Sequence, residues 1–256
     1  KVQESPTCLG PINASAINIT PTTADIVFSA GDPNTYNYRL FWKEDTATTW
    51  IQYDIFGDTT YQLTTLTPNT VYKVKIDAEC SDLTYSEPTE FDFRTDCSDI
   101  LTLPYSESFD MYGTNDNINY PTCWSRLSSY GSYPYISGSN FSSPGSLYFY
   151  CYNNTYTLGA MNAMDATINM NQLKLNFKMY AYNSSSVLKV GVMTDPTNKN
   201  TFVQVGPNIT VNSTGTWEDK EIILSSYTGT GKNIAFLIED VVGNGIEVYI
   251  DNVVVD

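Results

Sequence analysis

Eight consecutive residues, Val71–Ala78, alternate in character: Tyr72, Val74, Ile76 and Ala78 interleave with Lys73, Lys75 and Asp77. A period of two puts one set on the buried face of a sheet and the other in water, whereas a helix would scatter both sets around its circumference. Slipping the strand by one residue would bury two lysines and an aspartate, so the register is strongly specified. The same short rhythm recurs along the chain. Ala24–Phe28 reads as a strand, and Tyr36–Trp42 as another, with Tyr36, Tyr38, Leu40 and Trp42 on one face and Asn37, Arg39 and Phe41 on the other. Phe91 and Phe93 mark the end of this series. Further strands are expected at 147–152, 173–180, 187–193, 202–205, 217–224, 234–238 and 247–255, separated by Gly, Asn and Ser turns. Runs of Ala, Leu, Glu and Lys that favour helix are missing, and 20 tyrosines suit pleated, half-buried surfaces. The expected fold class is all-β.

The 256 residues divide into two expected sandwiches, 1–97 and 98–256, each long enough to bury its own core. No apolar stretch approaches the roughly 20 residues of a membrane helix. The chain carries 13 basic and 28 acidic side chains and no histidine. The acid excess of 15 is even, 8 in residues 1–97 and 7 in 98–256, and reads as general solubility. It argues against nucleic acid, which needs a basic footprint. Lack of histidine removes the commonest general base, the Ser-His-Asp triad and most zinc and iron sites. There is no GxSxG elbow and no Gly-rich phosphate loop. The adjacent acids Glu218/Asp219 and Glu239/Asp240 could serve as paired carboxylates by count, but consecutive strand residues point to opposite faces. The chain is expected not to be an enzyme.

Five cysteines, Cys8, Cys80, Cys97, Cys123 and Cys151, form no CxxC pair. An odd count in such a chain suggests two disulfides and one free thiol in an oxidising compartment, with five reduced cysteines as the alternative. A Cys97–Cys123 bridge would leave Cys151 free on an apolar face with Leu147 and Phe149. The competing arrangement is Cys123–Cys151 with Cys97 free. Aromatic residues concentrate at Trp124, Tyr130, Tyr133 and Tyr135, and Tyr148, Tyr150 and Tyr152 form a stripe opposite a core face. Such rings can stack on sugars or simply pack. The Asn-x-Ser/Thr sequons, including Asn13, Asn18, Asn140, Asn183 and Asn208, are explained by a composition rich in Asn, Ser and Thr.

The run Leu66-Thr-Pro-Asn-Thr-Val-Tyr72 resembles the L-x-P-x-T-x-Y signature of fibronectin type III domains, over about residues 6–95. The resemblance implies an immunoglobulin-like sandwich in which Tyr72 forms a tyrosine corner, its hydroxyl bonding back to upstream backbone. Phe28 stands where that family usually has a core Trp. The resemblance also implies a Cys8–Cys80 bridge, since both positions lie at one pole of that sandwich. Residues 103–256 resemble the MAM and cleaved-adhesin jelly rolls. The likeness rests on an opening Glu107-Ser-Phe109-Asp110, a Gly138–Leu147 loop, Trp217, Val190–Pro196 and a closing Ile250-Asp-Asn-Val253. The cysteine pattern of MAM domains proper is not reproduced. This second resemblance implies a C-terminal jelly-roll β-sandwich of the kind found in secreted and surface proteins of Gram-negative anaerobes. It also implies a structural cation, Ca²⁺, shared by Asp110 and Asp251, with Glu107 as a third candidate. Asn252 could add an amide oxygen only if the strand twists locally. Together the resemblances imply a non-catalytic extracellular or cell-surface binding or adhesion protein. Its partner would be a host or cell-surface protein or glycan, and it would belong to a larger surface assembly or chain. A carbohydrate-binding accessory to polysaccharide degradation and a structural spacer are the alternatives.

Overall fold

The computed structural model describes residues 8–114, 120–131, 133–240 and 243–256. It is all-β, with two compact units, Lys1–Ser98 and Asp99–Asp256.

The first unit is a seven-stranded sandwich. Its strands are β1 (Ile12–Ile17), β2 (Ala24–Ser29), β3 (Asn37–Glu44), β4 (Ile51–Phe56), β5 (Thr60–Leu63), β6 (Val71–Ala78) and β7 (Thr89–Arg94). They form an antiparallel sheet β1-β2-β5 facing a second, β4-β3-β6-β7. Tyr72, Val74, Ile76 and Ala78 of β6 are buried beside Ile26, Phe28, Tyr38 and Leu40, as the alternation demands; Asp77, expected in water, is buried as well, because Arg39 pairs with its carboxylate at 2.6 Å. Phe28 meets Tyr38 edge-on, with centroids 4.8 Å apart. Tyr36, expected to share the inner face of its strand, instead precedes β3 and is exposed. The Tyr72 hydroxyl accepts a hydrogen bond from the Thr67 backbone N–H at 2.9 Å, tying the β6 entry to the turn before it. Cys8 and Cys80 are joined, with Cα atoms 5.4 Å apart.

The second unit is a larger sandwich. Its strands are β8 (Tyr105–Glu107), β9 (Ser125–Ser128), β10 (Tyr135–Ser137), β11 (Ser146–Cys151), β12 (Tyr156–Ala160), β13 (Lys174–Tyr180), β14 (Lys189–Met193), β15 (Val203–Gln204), β16 (Glu218–Ile223), β17 (Asn233–Glu239) and β18 (Ile246–Val255). One sheet runs β10-β11-β18-β13-β16, with β8 also on β18. The other runs β15-β14-β17-β12-β9. Leu147, Phe149, Phe177, Val190, Phe236 and Val248 belong to the core between them. Full burial of each such side chain is worth about 1.5–3 kcal/mol.

The longest strand, β18, changes phase along its length. Ile246, Val248 and Ile250 are buried, and then Val253 and Val255. The shift comes from a β-bulge: Lys178 of β13 pairs with Asp251 while Asn176 pairs with Val254. Asn252 takes φ 47° there, a left-handed conformation that Asn tolerates better than most residues. Before the bulge β18 pairs with β11, and after it with β8.

Candidate functional site

The bulge gathers side chains that strict alternation would separate. Asp251 is fully buried. Its Oδ2 accepts from the backbone N–H groups of Phe141 and Ser142, at 2.8 and 2.9 Å. Its Oδ1 accepts from the Asn252 N–H at 2.7 Å and from the Ser142 hydroxyl at 3.2 Å. The same hydroxyl lies 2.8 Å from Asn252 Oδ1 and 3.5 Å from Asp110 Oδ2. Asp110 opens a short 3₁₀ turn after Phe109, which has φ 62°, and its Oδ1 accepts from Gly145 N–H at 3.4 Å. A side chain at Gly145 would stand 2.8 Å from the Phe109 carbonyl oxygen, so only glycine lets the loop approach this closely.

Asp110, Asp251 and Asn252 therefore meet around Ser142, which was not singled out from the sequence. Glu107 is engaged elsewhere, accepting from the Phe109 N–H and the Tyr112 hydroxyl, each at 2.7 Å. Three side-chain oxygens converge on one hydroxyl that has a single proton to give. Burial raises the Asp251 carboxyl above its ordinary value, against the pull of the donors from Ser142, Phe141 and Asn252. Among the described residues no three His, Cys, Asp or Glu side chains gather in a metal-holding group. The cluster holds two carboxylates, one amide and one hydroxyl, an all-oxygen set of the kind that suits a hard cation.

The second candidate lies on the outer face of the sheet containing β18. With Leu147, Phe149 and Cys151 of β11 turned inward, Tyr148 and Tyr150 turn outward, as do Tyr249 and Glu247 of β18 and Tyr180 of β13. The register then aligns them. Tyr135 of β10 pairs with Tyr148, Tyr148 with Tyr249, and Tyr249 with Tyr180. Four neighbouring strands thus contribute a row of four tyrosines crossing the sheet, about 14 Å at the usual strand spacing. Tyr148 and Tyr249 stack with centroids 4.4 Å apart. Tyr133 and Tyr130 extend the rings beyond one end. Tyr182, Trp217 and Phe141 extend them beyond the other. The centre of the row is covered, Tyr148 being 8% and Tyr249 6% exposed, while Tyr130, Phe141 and Tyr182 are 39%, 48% and 51% exposed. Glu247 accepts a hydrogen bond from the Tyr148 hydroxyl. Burial first, with the Glu247 charge a further cause, raises the phenols of Tyr133, Tyr148, Tyr150, Tyr180 and Tyr249, so they remain proton donors.

Other residues read from the sequence fall into place differently. Trp124, grouped there with the loop tyrosines, is a core residue: its indole N–H donates to the Tyr105 hydroxyl at 3.1 Å and its ring lies parallel to Phe236. Tyr152 lies past the end of β11. Glu218 binds Lys220 and the N–H groups of Asn212 and Ser213, while Asp219 pairs with Lys178. Glu239 pairs with Lys189 and Lys199, and Asp240 is buried, accepting from the N–H groups of Asn153, Gly243 and Gly245. Cys97 and Cys123 are both disulfide-bonded. That excludes the Cys123–Cys151 arrangement and leaves Cys151 as the buried free thiol. Burial pushes the Cys151 thiol up to about 12, so it is no thiolate nucleophile at neutral pH. Among the described residues no helix is long and apolar enough to cross a membrane.

No protein-family model matches the chain, and no curated protein matches it. Solved structures similar to part of it are fibronectin type III and β-sandwich domains. A computationally redesigned β-sandwich protein is 25% identical, with a TM-score of 0.34, and the match covers 36% of this chain and 95% of that one. A fibronectin type III domain of human collagen XX is 14% identical, with a TM-score of 0.33 and coverage of 37% and 100%. The FN5 domain of Drosophila Lar is 15% identical, with a TM-score of 0.30 and coverage of 34% and 96%.

Proposed function

We propose that this chain is a non-catalytic binding or adhesion protein of an extracellular or cell-surface setting, and that it binds through the outer tyrosine face of the second unit. The observation that carries this reading is the row Tyr135–Tyr148–Tyr249–Tyr180 with its exposed flanks. Rings with an apolar body and a polar tip are favoured where a partner is bound. Two disulfides fit an oxidising compartment, and the cleaved-adhesin resemblance favours a bacterial surface within a larger assembly. The test is a paired screen against glycans and against host and cell-surface proteins, repeated with Tyr182→Ala/Trp217→Ala. Binding that the double variant abolishes supports the reading. Silence in both screens makes the chain a spacer and overturns it.

We also propose that Ca²⁺ bridges Asp110 and Asp251, with Asn252 and Ser142 completing the oxygen set. The support is the shortage of protons among those converging oxygens. The ion would supply charge compensation and pin the 138–145 loop to β18. Extracellular Ca²⁺ modules bind with Kd near 10⁻⁴–10⁻³ M, so a hundredfold excess over Kd would add about 2.7 kcal/mol. Melting with Ca²⁺ should exceed melting with EDTA. Identical midpoints would remove the metal from the account.

A further inference from the structure

The tyrosine face also carries information about what it would accept. Beside the row, on the same face, stands Glu247, an acceptor-only carboxylate that pairs across the strands with Tyr150 and accepts from the Tyr148 hydroxyl. The lysines that β13 presents on this face are committed to carboxylates: Lys178 to Asp219 at 2.8 Å, and Lys174 to Glu221 and Asp256. Lys178 additionally sits over the Phe141 ring, 4.3 Å from its centroid. An anionic partner would therefore meet the Glu247 charge on a chain of net charge −15 and find these lysines already paired.

The ring surface selects further. The row is built from tyrosines, with Trp217 and Phe141 at one end, so the face offers flat apolar surface interrupted by hydroxyls rather than aliphatic knobs. A ligand matching it needs apolar C–H faces to lie on rings and hydroxyls to donate to Glu247 and exchange hydrogen bonds with the phenols. Pyranose rings have that pattern, and they repeat along a chain. The row crosses four strands, about 14 Å before its flanks are counted, which is room for several consecutive sugars.

We infer that the outer face of the sheet β10-β11-β18-β13-β16 is a site for an uncharged glycan chain, laid across the strands along Tyr130, Tyr133, Tyr135, Tyr180, Tyr182 and Trp217. This rests on the reading that the tyrosine face binds, and it specifies the ligand class. Glu247, beside the row, is the acceptor for sugar hydroxyls, and the same carboxylate rejects uronic, sialylated and sulfated glycans.

The experiment is an array of neutral, uronic, sialylated and sulfated oligosaccharides of graded length. It is probed with the full chain, with Tyr130→Ala and with Tyr182→Ala, each variant first checked for an unchanged melting midpoint. A set of extended peptides is probed in parallel. The expected result is binding confined to neutral oligosaccharides, strengthening with length, and weakened about tenfold or more by either variant, the loss typical of truncating an aromatic anchor. Hits confined to acidic glycans, or neutral hits that both variants leave unchanged, would overturn the inference. Peptide binding lost in the variants without any glycan binding would overturn the glycan claim and leave the binding face standing. If neither class binds, both fall.

Discussion

Single residues decide more here than their number suggests. Tyr72 is nine-tenths buried and takes the Thr67 N–H on its hydroxyl, which also lies 3.3 Å from Glu44 Oε1. Tyr72→Phe keeps the ring and orphans that N–H, so urea denaturation should show a loss of about 1–3 kcal/mol. No loss would mean water replaces the hydroxyl and the corner is ornamental. This contact was legible, because the residues from Leu66 to Tyr72 carry a recognisable spacing. Ser142 was not, because a serine among many announces nothing until a bulge aims its neighbours at it. Asp251 makes a pH prediction. Burial chiefly raises its folded value above the ordinary 3.8, so the folded state holds the proton more tightly than the unfolded chain. Its contribution is thus complete below that ordinary value and is lost as pH rises through the folded one. In EDTA, the wild-type melting midpoint should fall relative to that of Asp251→Asn as pH rises from about 3.8, the unfolded reference. A gap between the two that stays constant would contradict this.

At the scale of elements, period-two alternation located the long strands well. Val71–Ala78 is β6 to the residue, the expected 173–180 segment differs from β13 by one residue at its start, and 234–238 is one residue short of β17 at each end. The strand β4 was overlooked although Ile51, Tyr53 and Ile55 alternate with Gln52 and Asp54. The β12 sequence YTLGA carries no period because four of its five residues are buried, the outer ones under a small apolar layer with Met193 and Leu237. The bulge in β18 did leave a trace: its buried aliphatic residues change from even positions, Ile246, Val248 and Ile250, to odd ones, Val253 and Val255, across Asn252. What could not be read was which strands are neighbours and in what register, and the tyrosine row exists only through that pairing. The Cys8–Cys80 link belongs to this scale as well. It spans 72 residues, and a loop of that length is worth about 4 kcal/mol in the chain-entropy account. A Cys8→Ser/Cys80→Ser chain should unfold at correspondingly lower urea. An unchanged midpoint would mean that the reduced, unfolded first unit is already compact.

For the whole molecule, the chain has no histidine and spreads its acidic charge evenly over both units. The carboxylates that sequence alone offers for catalysis each hold a lysine or a backbone N–H, and the free thiol is buried. The surface feature proposed above for binding is the tyrosine face, whose rings the strand register aligns. On the proposed reading these rings receive a partner instead of merely packing on one another. Hydroxyl-radical footprinting, read by mass spectrometry with and without a partner returned by the screens, tests this directly. Tyr130, Phe141, Tyr182 and Trp217 should be less oxidised in the complex, with the buried Trp124 unchanged. Protection elsewhere on the chain, with those four residues oxidised as in the free protein, would contradict it.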